Sequence, residues 1–213
     1  MIVEPPMTNI TSNPATSFNP RGRGPSVHRT AFVHPMACVI GDVIVGANVM
    51  VAPFASLRAD EGTPFHIGAG SNVQDGVVIH ALESTGSHAE KNTCEVHGKR
   101  YSVYIGERVS LAHQCQIHGP CLIEDDCFVG MGSFVFRSSL GRGSVIEPGA
   151  MVMGVVVPSG RYVPAGAVLR EQGRADDLPK IDAAYPLRSL NAEVVRVNIE
   201  LARAYNSQRT SDL

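Results

Sequence analysis

Aliphatic residues recur at every sixth position through the middle of the chain. One run reads Ile105, Leu111, Ile117, Ile123, Val129 and Val135, and an earlier one reads Ile67, Val73 and Ile79. A period of six matches neither a helix nor the simple alternation of a strand. It is typical of hexapeptide repeats, in which three short strands and three tight turns make one triangular coil of a parallel β-helix. The pattern therefore predicts an all-β fold in which residues about 18 positions apart stack at roughly one strand spacing, about 4.8 Å.

Four positions after each aliphatic residue stands a small or slim one. These positions hold Ser71, Val77, Val109, Cys115, Cys121, Cys127 and Ser133. Cysteine packs as a compact buried hydrophobe, so the repeat explains its three cysteines without a metal or a disulfide. Their spacing also does not fit a zinc knuckle.

The repeat is interrupted once by a long insertion. Ile79 is followed by no aliphatic residue in register until Ile105, so about 20 residues within 82–102 are expected to loop out of the coil. With the insertion removed, Ile117 stacks on Ile79. His80 and His118, each one place after its aliphatic residue, then become neighbours on one face, and Arg58 lies one coil below His80.

A third histidine belongs to a different column. His113 stands two places after Leu111, above Asp75 and on another face from His80 and His118. Three neutral imidazoles with an open fourth position make a catalytic zinc site, which lowers the pKa of bound water to about 7. Two histidines on one face cannot easily meet a third on another face of the same chain, so the pattern favours a site across a subunit interface.

Further segments lie before and after the repeat in the chain. We predict an N-terminal arm (1–29), a β-helix (30–167), a connector (168–188) and a C-terminal helix (189–206). Ser189 is a plausible N-cap for that helix. Its apolar stripe consists of Leu190, Val194, Val197, Leu201 and Tyr205.

Composition and charge limit the kinds of partner and the location that we expect for this chain. The net charge of −2 gives no reason to expect nucleic acid or an anionic membrane. No apolar run approaches the roughly 20 residues of a transmembrane helix, and no signal peptide is visible at the N-terminus. Together with an odd count of five cysteines, this predicts a reducing, cytoplasmic location.

Three stretches carry a family resemblance. They read RADEG at 58–62, NVQDGVVIH at 72–80 and SLAHQCQIHGP at 110–120, with ALE following at 81–83 and VN at 197–198. This pattern strongly resembles the γ-class carbonic anhydrases over nearly the whole chain. Hexapeptide repeats alone are shared with many acyltransferases, whereas three histidines flanked by this arginine, glutamine and acid are specific.

The resemblance implies a left-handed β-helix that forms a homotrimer with a metal site at each subunit interface. His80 and His118 would come from one subunit and His113 from the next. The implied reaction is the reversible hydration of CO₂ to bicarbonate and a proton by a metal-bound hydroxide. Zn²⁺ is the default metal, with Fe²⁺ or Co²⁺ as alternatives for imidazole ligands.

The resemblance also assigns catalytic roles. Glu61 and Gln74 would position the reacting water and the substrate, and Asn198 would line the pocket. Glu83, at the start of the insertion, would carry protons to solvent.

Other residues would act at the interface. Arg58, Asp60 and Asp75 are expected to steady the site, with an ion pair between the columns of Arg58 and Asp75 linking the subunits.

Two departures from the family pattern leave alternatives open. The insertion is less acidic than that of the family's prototype, so His88 or Glu90 is an alternative to Glu83 in proton export. Arg196 stands where the prototype has a tyrosine, and its charge could alter the pocket. An acyltransferase that uses one histidine as base, or a scaffold that keeps the fold without activity, are the competing hypotheses.

Overall fold

A computed structural model describes residues 9–211 as a parallel β-helix of about eight turns followed by a helix. Each coil passes through three sheets. Sheet A contains the strands Ile10–Thr11, Cys38–Gly41, Ser56–Ala59, Val78–Ala81, Gln116–Gly119, Phe134–Phe136, Met151–Met153 and Val168–Leu169. Sheet B contains Ser26–Val27, Val43–Val45, Phe65–Ile67, Val103–Ile105, Cys121–Ile123, Ser139–Leu140 and Val156–Val157. Sheet C contains Phe32–Val33, Met50–Val51, Asn72–Val73, Ser110–Leu111, Phe128–Val129, Val145–Ile146 and Tyr162–Val163. The all-β class predicted from the six-residue period is confirmed.

The register of sheet A matches the arithmetic of the repeat. Ile79 pairs with Leu57 on one side and with Ile117 on the other, and His80 pairs with His118. The offset from Ile79 to Ile117 is 38 residues, which is one coil of 18 plus an insertion of 20. The predicted vertical register of His80 and His118 is therefore confirmed.

The insertion leaves the coil after strand Val78–Ala81 and returns at strand Val103–Ile105. It contains a short 3₁₀ helix, Gly86–His88, and an antiparallel hairpin of Cys94–Val96 and Lys99–Tyr101. Its 20 residues do not disturb the pairing of the strands on either side.

The core is one continuous column of aliphatic side chains inside the coil. Leu57, Ile79 and Ile117 are almost completely buried, as the repeat predicts. The three cysteines of the repeat are buried with them, which confirms their packing role. Burial raises the pKa of Cys121 and of Cys127 to about 12, so both thiols stay protonated at neutral pH.

The turns at the corners of the coil use left-handed backbone. Gly76 has φ 68°, and Gln114, in the equivalent turn of the next coil, has φ 59°. Phe54 occupies the turn one coil below with φ 61°, a conformation that a bulky residue rarely adopts.

The ends of the chain differ in detail from the predicted segments. Two short strands, Ile10–Thr11 and Ser26–Val27, lie within the segment expected as an arm and pair with the first coil. Residues 1–8 of that arm lie outside the described residues. The connector contains helix α1, Gln172–Asp176, which follows the last strand of sheet A.

The C-terminal helix, α2 (Leu190–Ser211), extends past the predicted end at 206 because its last turns continue without a glycine or proline. It packs on sheet C, where Ala202 is fully buried and Tyr205 stacks on Phe32 with ring centroids 4.7 Å apart. No helix among the described residues is long and apolar enough to cross a membrane.

Candidate metal centre

Sheet A brings two of the predicted ligands together. His80 and His118 are direct neighbours on adjacent strands, with ring centroids 5.4 Å apart and ring planes at 70°. Nδ1 of His118 lies 3.3 Å from the carbonyl oxygen of Gly119. Since a carbonyl can only accept, Nδ1 carries the proton and Nε2 of His118 keeps its lone pair.

His80 is set among charged groups that leave its ring neutral. Its Nε2 lies 3.4 Å from Oδ1 of Asp60 and 3.7 Å from Oε2 of Glu61. Neither contact has hydrogen-bond geometry, so Nε2 is a buried polar atom without a partner among the described residues. Burial lowers the pKa of His80, and the positive charge of Arg58 lowers it further, outweighing the two acids. A neutral imidazole with an unpartnered nitrogen is suited to bind a metal.

Arg58 holds the carboxyl group of Asp60 beside His80. Its Nε donates to Oδ2 of Asp60 at 3.1 Å. Burial opposes ionisation of Asp60, but the hydrogen bond and charge of Arg58 outweigh it and lower the pKa of that carboxyl. Asp60 therefore stays ionised beside His80.

The third predicted ligand lies in a turn, at the corner between sheets C and A. His113 follows strand Ser110–Leu111, and its Nδ1 lies 3.0 Å from Oδ2 of Asp75 in the equivalent turn one coil below. Because a carboxylate only accepts, this contact fixes the tautomer in which Nε2 of His113 is free. A carboxylate behind the distal nitrogen is the usual support of a metal-binding histidine.

Gln74 and Asn198 line a cavity with His113. The cavity, about 710 Å³, lies between the corner turns and helix α2. Nε2 of Gln74 donates to Oδ1 of Asn72 at 2.9 Å, and Asn72 in turn donates to Ser110. Asn198 donates its amide to the carbonyl of Val194 in its own helix. Each amide thereby keeps a carbonyl oxygen for other contacts.

Glu83 begins the insertion close to Glu61. Its backbone N–H donates to Oε1 of Glu61 at 3.2 Å, and its own Oε1 lies 3.4 Å from Oγ1 of Thr85. Asn92, a buried residue of the same insertion, donates to the carbonyl of Glu83 at 2.6 Å. Sequence reasoning missed Thr85 and Asn92, because nothing in the repeat pattern predicts how the insertion folds.

Within one chain the predicted ligands do not converge. No group of three histidine, cysteine or acidic side chains among residues 9–211 is arranged to hold a metal ion. One half of the predicted site lies on sheet A and its flanking loops and consists of His80, His118, Asp60, Glu61 and Glu83. The other half lies at the corner between sheets C and A and along α2, and it consists of His113, Asp75, Gln74 and Asn198.

No family profile matches the chain. It is 51% identical to the carbonic anhydrase of Methanosarcina thermophila over 201 residues, which is 93% of this chain and 81% of that protein. The chain belongs to the γ-class carbonic anhydrases. It is thus an enzyme of the carbonate dehydratase class, and its membership implies a metal cofactor.

Other relatives bear on the competing hypotheses. The chain is 42% identical to the carboxysome assembly protein CcmM of Nostoc over 92% of its own length, but it spans only 34% of that protein. A solved structure of a putative acetyltransferase from Bacillus cereus covers 87% of this chain and is itself covered to 94%, with a TM-score of 0.69 and 22% identity. The acetyltransferase likeness supports the hexapeptide-repeat fold alone, whereas the carbonic anhydrase likeness reaches 51% identity over 93% of the chain.

Proposed function

We propose that the chain catalyses the reversible hydration of CO₂ to bicarbonate and a proton in metal sites shared between neighbouring subunits of a homotrimer. His80 and His118 of one subunit and His113 of the next would be the ligands. The observation that supports this proposal most strongly is that each of the three histidines keeps one ring nitrogen without a hydrogen bond to the described residues, yet the three lie in two halves that do not meet within one chain.

The donor set fits a divalent transition metal. Three neutral imidazoles with an open fourth position suit Zn²⁺, and Fe²⁺ or Co²⁺ are the alternatives. When bound, the metal lowers the pKa of a water so that hydroxide is available at neutral pH. Asp75 and the carbonyl of Gly119 would hold the tautomers of His113 and His118 that this requires.

The acidic and amide side chains near the proposed metal would bind the substrate and transfer the proton. Glu61, whose Oε2 lies 3.7 Å from Nε2 of His80, would accept a proton or a hydrogen bond from the reacting water. Gln74, oriented by Asn72, and Asn198 would contact CO₂ or bicarbonate in the cavity beside His113. Glu83 would pass the proton outward, since the backbone contact with Glu61 keeps the two acids adjacent.

The surface of the chain supports the trimer. Large apolar side chains are exposed along the corner between sheets C and A: Met36 is 56%, Phe54 63% and Met131 47% exposed. This corner carries His113 and borders the face of His80, so burying it against a neighbour would bring the two halves together. The left-handed backbone of Phe54 is a further local strain that such an interface would justify.

Charged residues flank the same corner. Arg58 and Asp75 each have about half of their side chain exposed. The remaining nitrogens of Arg58 are free to meet Asp75 of the neighbouring subunit. A pair of this kind would set the rotation of one subunit against the next rather than add much affinity.

Mixed trimers test the shared site. His80→Ala and His113→Ala homotrimers should each be inactive and should bind little metal. When the two variants are assembled together at equal amounts, about three-quarters of closed trimers are mixed, and each mixed trimer has one intact site of three. Activity and metal content should then return to about one quarter of wild type.

The outcome separates the competing models. If the three ligands belonged to one chain, mixing would restore neither metal nor activity. Mass spectrometry of the intact assembly confirms that the mixture formed. Zinc, iron and cobalt are quantified in protein purified without oxygen. Absence of all three metals after reconstitution would refute the metalloenzyme proposal itself.

A further inference from the structure

The described residues before the first complete coil, from residue 9 onward, are tightly folded rather than loosely attached. Asn13 and Asn19 are among the few buried polar residues, 4% and 7% exposed. Asn13 accepts from the backbone N–H of Arg23 at 2.9 Å and donates to the carbonyl of Arg21 at 3.3 Å. The N–H of Asn19 donates to Oγ1 of Thr16 at 2.9 Å. Residues 13–19, here named the clasp, are thus held by hydrogen bonds within the segment and to Arg21 and Arg23.

One end of the clasp holds the peptide bond that carries Glu61. The side-chain amide of Asn19 donates to the carbonyl oxygen of Asp60 at 3.1 Å. On the other side of that peptide, the N–H of Glu61 donates to Oδ1 of Asp60 at 3.1 Å. The peptide unit is therefore fixed at both its oxygen and its nitrogen. Its rotation sets the direction in which the Glu61 side chain leaves the backbone.

The same clasp reaches the insertion beside Glu83. Oγ1 of Thr85 donates to the carbonyl oxygen of Phe18 at 2.5 Å. The same hydroxyl lies 3.4 Å from Oε1 of Glu83, a longer contact in which the carboxylate is the acceptor. Thr85 therefore ties the start of the insertion to the clasp and places its hydroxyl beside the carboxyl group of Glu83.

We propose that the clasp is a positioning element for both acids of the proposed site, through Asn19 for Glu61 and Thr85 for Glu83. Neither residue contacts the reacting atoms. The inference rests on the proposed function, because it assigns the clasp to a reaction in which Glu61 serves the hydration step and Glu83 the export of the proton. It adds that Asn19 and Thr85, which are distant from each other in sequence, affect the hydration step and the export of the proton separately.

The two contacts should affect different kinetic constants. Asn19→Ala releases the peptide before Glu61 and should lower kcat/KM about tenfold, since displacement of a catalytic group by a fraction of an ångström is sufficient for such a loss. Concentrated imidazole should not restore it. Thr85→Val keeps the shape but removes the hydroxyl. It should lower kcat in dilute buffer by several-fold, leave kcat/KM nearly unchanged and be rescued by imidazole, because export follows the step that kcat/KM reports.

Matched variants separate positioning from folding. Ser17→Ala changes an exposed residue of the clasp without a hydrogen bond to either acid-bearing loop, and it should behave as wild type. Thr85→Ser keeps the hydroxyl and should retain kcat. All variants should keep the trimer, the metal content and a melting temperature near that of wild type.

Hydrogen exchange gives a readout that does not depend on activity. In the metal-loaded protein, Asn19→Ala should speed amide exchange in peptides covering 58–64, and Thr85→Val in peptides covering 82–92. If wild type exchanges slowly there but the variants do not differ from it in exchange or in kinetics, the clasp does not position the acids. If wild type itself lacks CO₂ hydration, the proposed function fails. The exchange data then decide only whether the clasp orders these loops.

Discussion

Asp75 offers a direct way to test whether His113 is a metal ligand. Its carboxylate lies 3.0 Å from Nδ1 of His113 and fixes the tautomer that leaves Nε2 free. Removal of such a supporting carboxylate lowers metal affinity by about 10- to 100-fold, which is about 1.4–2.8 kcal/mol. Asp75→Asn should be near the lower bound because the amide oxygen can still accept. Asp75→Ala should be near the upper bound because nothing then holds the ring.

The assay is competition for Zn²⁺ with a chromophoric chelator, followed for wild type and both variants under conditions in which each is trimeric. Asp182→Asn is the matched control, because it makes the same change at an exposed carboxylate outside both half-sites. It should leave the affinity for zinc unchanged. If Asp75→Ala trimers hold zinc as tightly as wild type, Asp75 does not support a ligand, and the assignment of His113 loses its main structural argument.

Three further perturbations address proton export, assembly and pH. Glu83→Ala should lower kcat in dilute buffer with kcat/KM nearly unchanged, and imidazole should rescue it; an unchanged kcat would exclude Glu83 as the shuttle. Phe54→Asn suits the left-handed turn but removes the exposed ring, so sedimentation should show dissociation of the trimer while circular dichroism stays the same. Burial lowers the pKa of His66, which stacks on Tyr104, below its unfolded value of about 6.5. The unfolded chain therefore binds a proton at a higher pH than the folded chain does. The contribution of His66 to the free energy of unfolding is thus present above about pH 6.5 and is lost as the pH falls. His66→Phe should reduce the shift of the urea midpoint between pH 7.5 and 5.5; an equal shift in both proteins would contradict this.

The repeat made much of the architecture predictable. Each strand stacks on the strand one coil earlier, so counting six-residue steps gives the height of a residue in the coil. The pairing of Ile79 with Ile117 followed from the aliphatic positions once the insertion was set aside. The neighbouring positions of His80 and His118 then followed without any knowledge of their side chains. The contact between His113 and Asp75 followed in the same way from their equal distance behind Leu111 and Val73.

What the period does not encode had to come from the structure. The strands Ile10–Thr11 and Ser26–Val27 are too short to show any alternation, so the arm gave no sign that it pairs with the first coil. The contacts of Asn19 and Thr85 join segments far apart in sequence through single side chains, which no local pattern predicts. The roles of Glu61, Gln74 and Asn198 were expected from the family resemblance and stay predictions.

The 20-residue insertion between strands Val78–Ala81 and Val103–Ile105 can change in length without changing the register of the coil on either side. Its two ends are held in place by the coil, so extending it mainly adds loop-closure entropy. Doubling such a loop costs only about 0.6 kcal/mol. The region that would deliver protons to solvent can therefore change length and charge freely, while the strand register that places His80 beside His118 stays the same. An engineer could exchange the whole insertion beyond Thr85 to suit a new buffer or surface and leave the chemistry at the metal as it was.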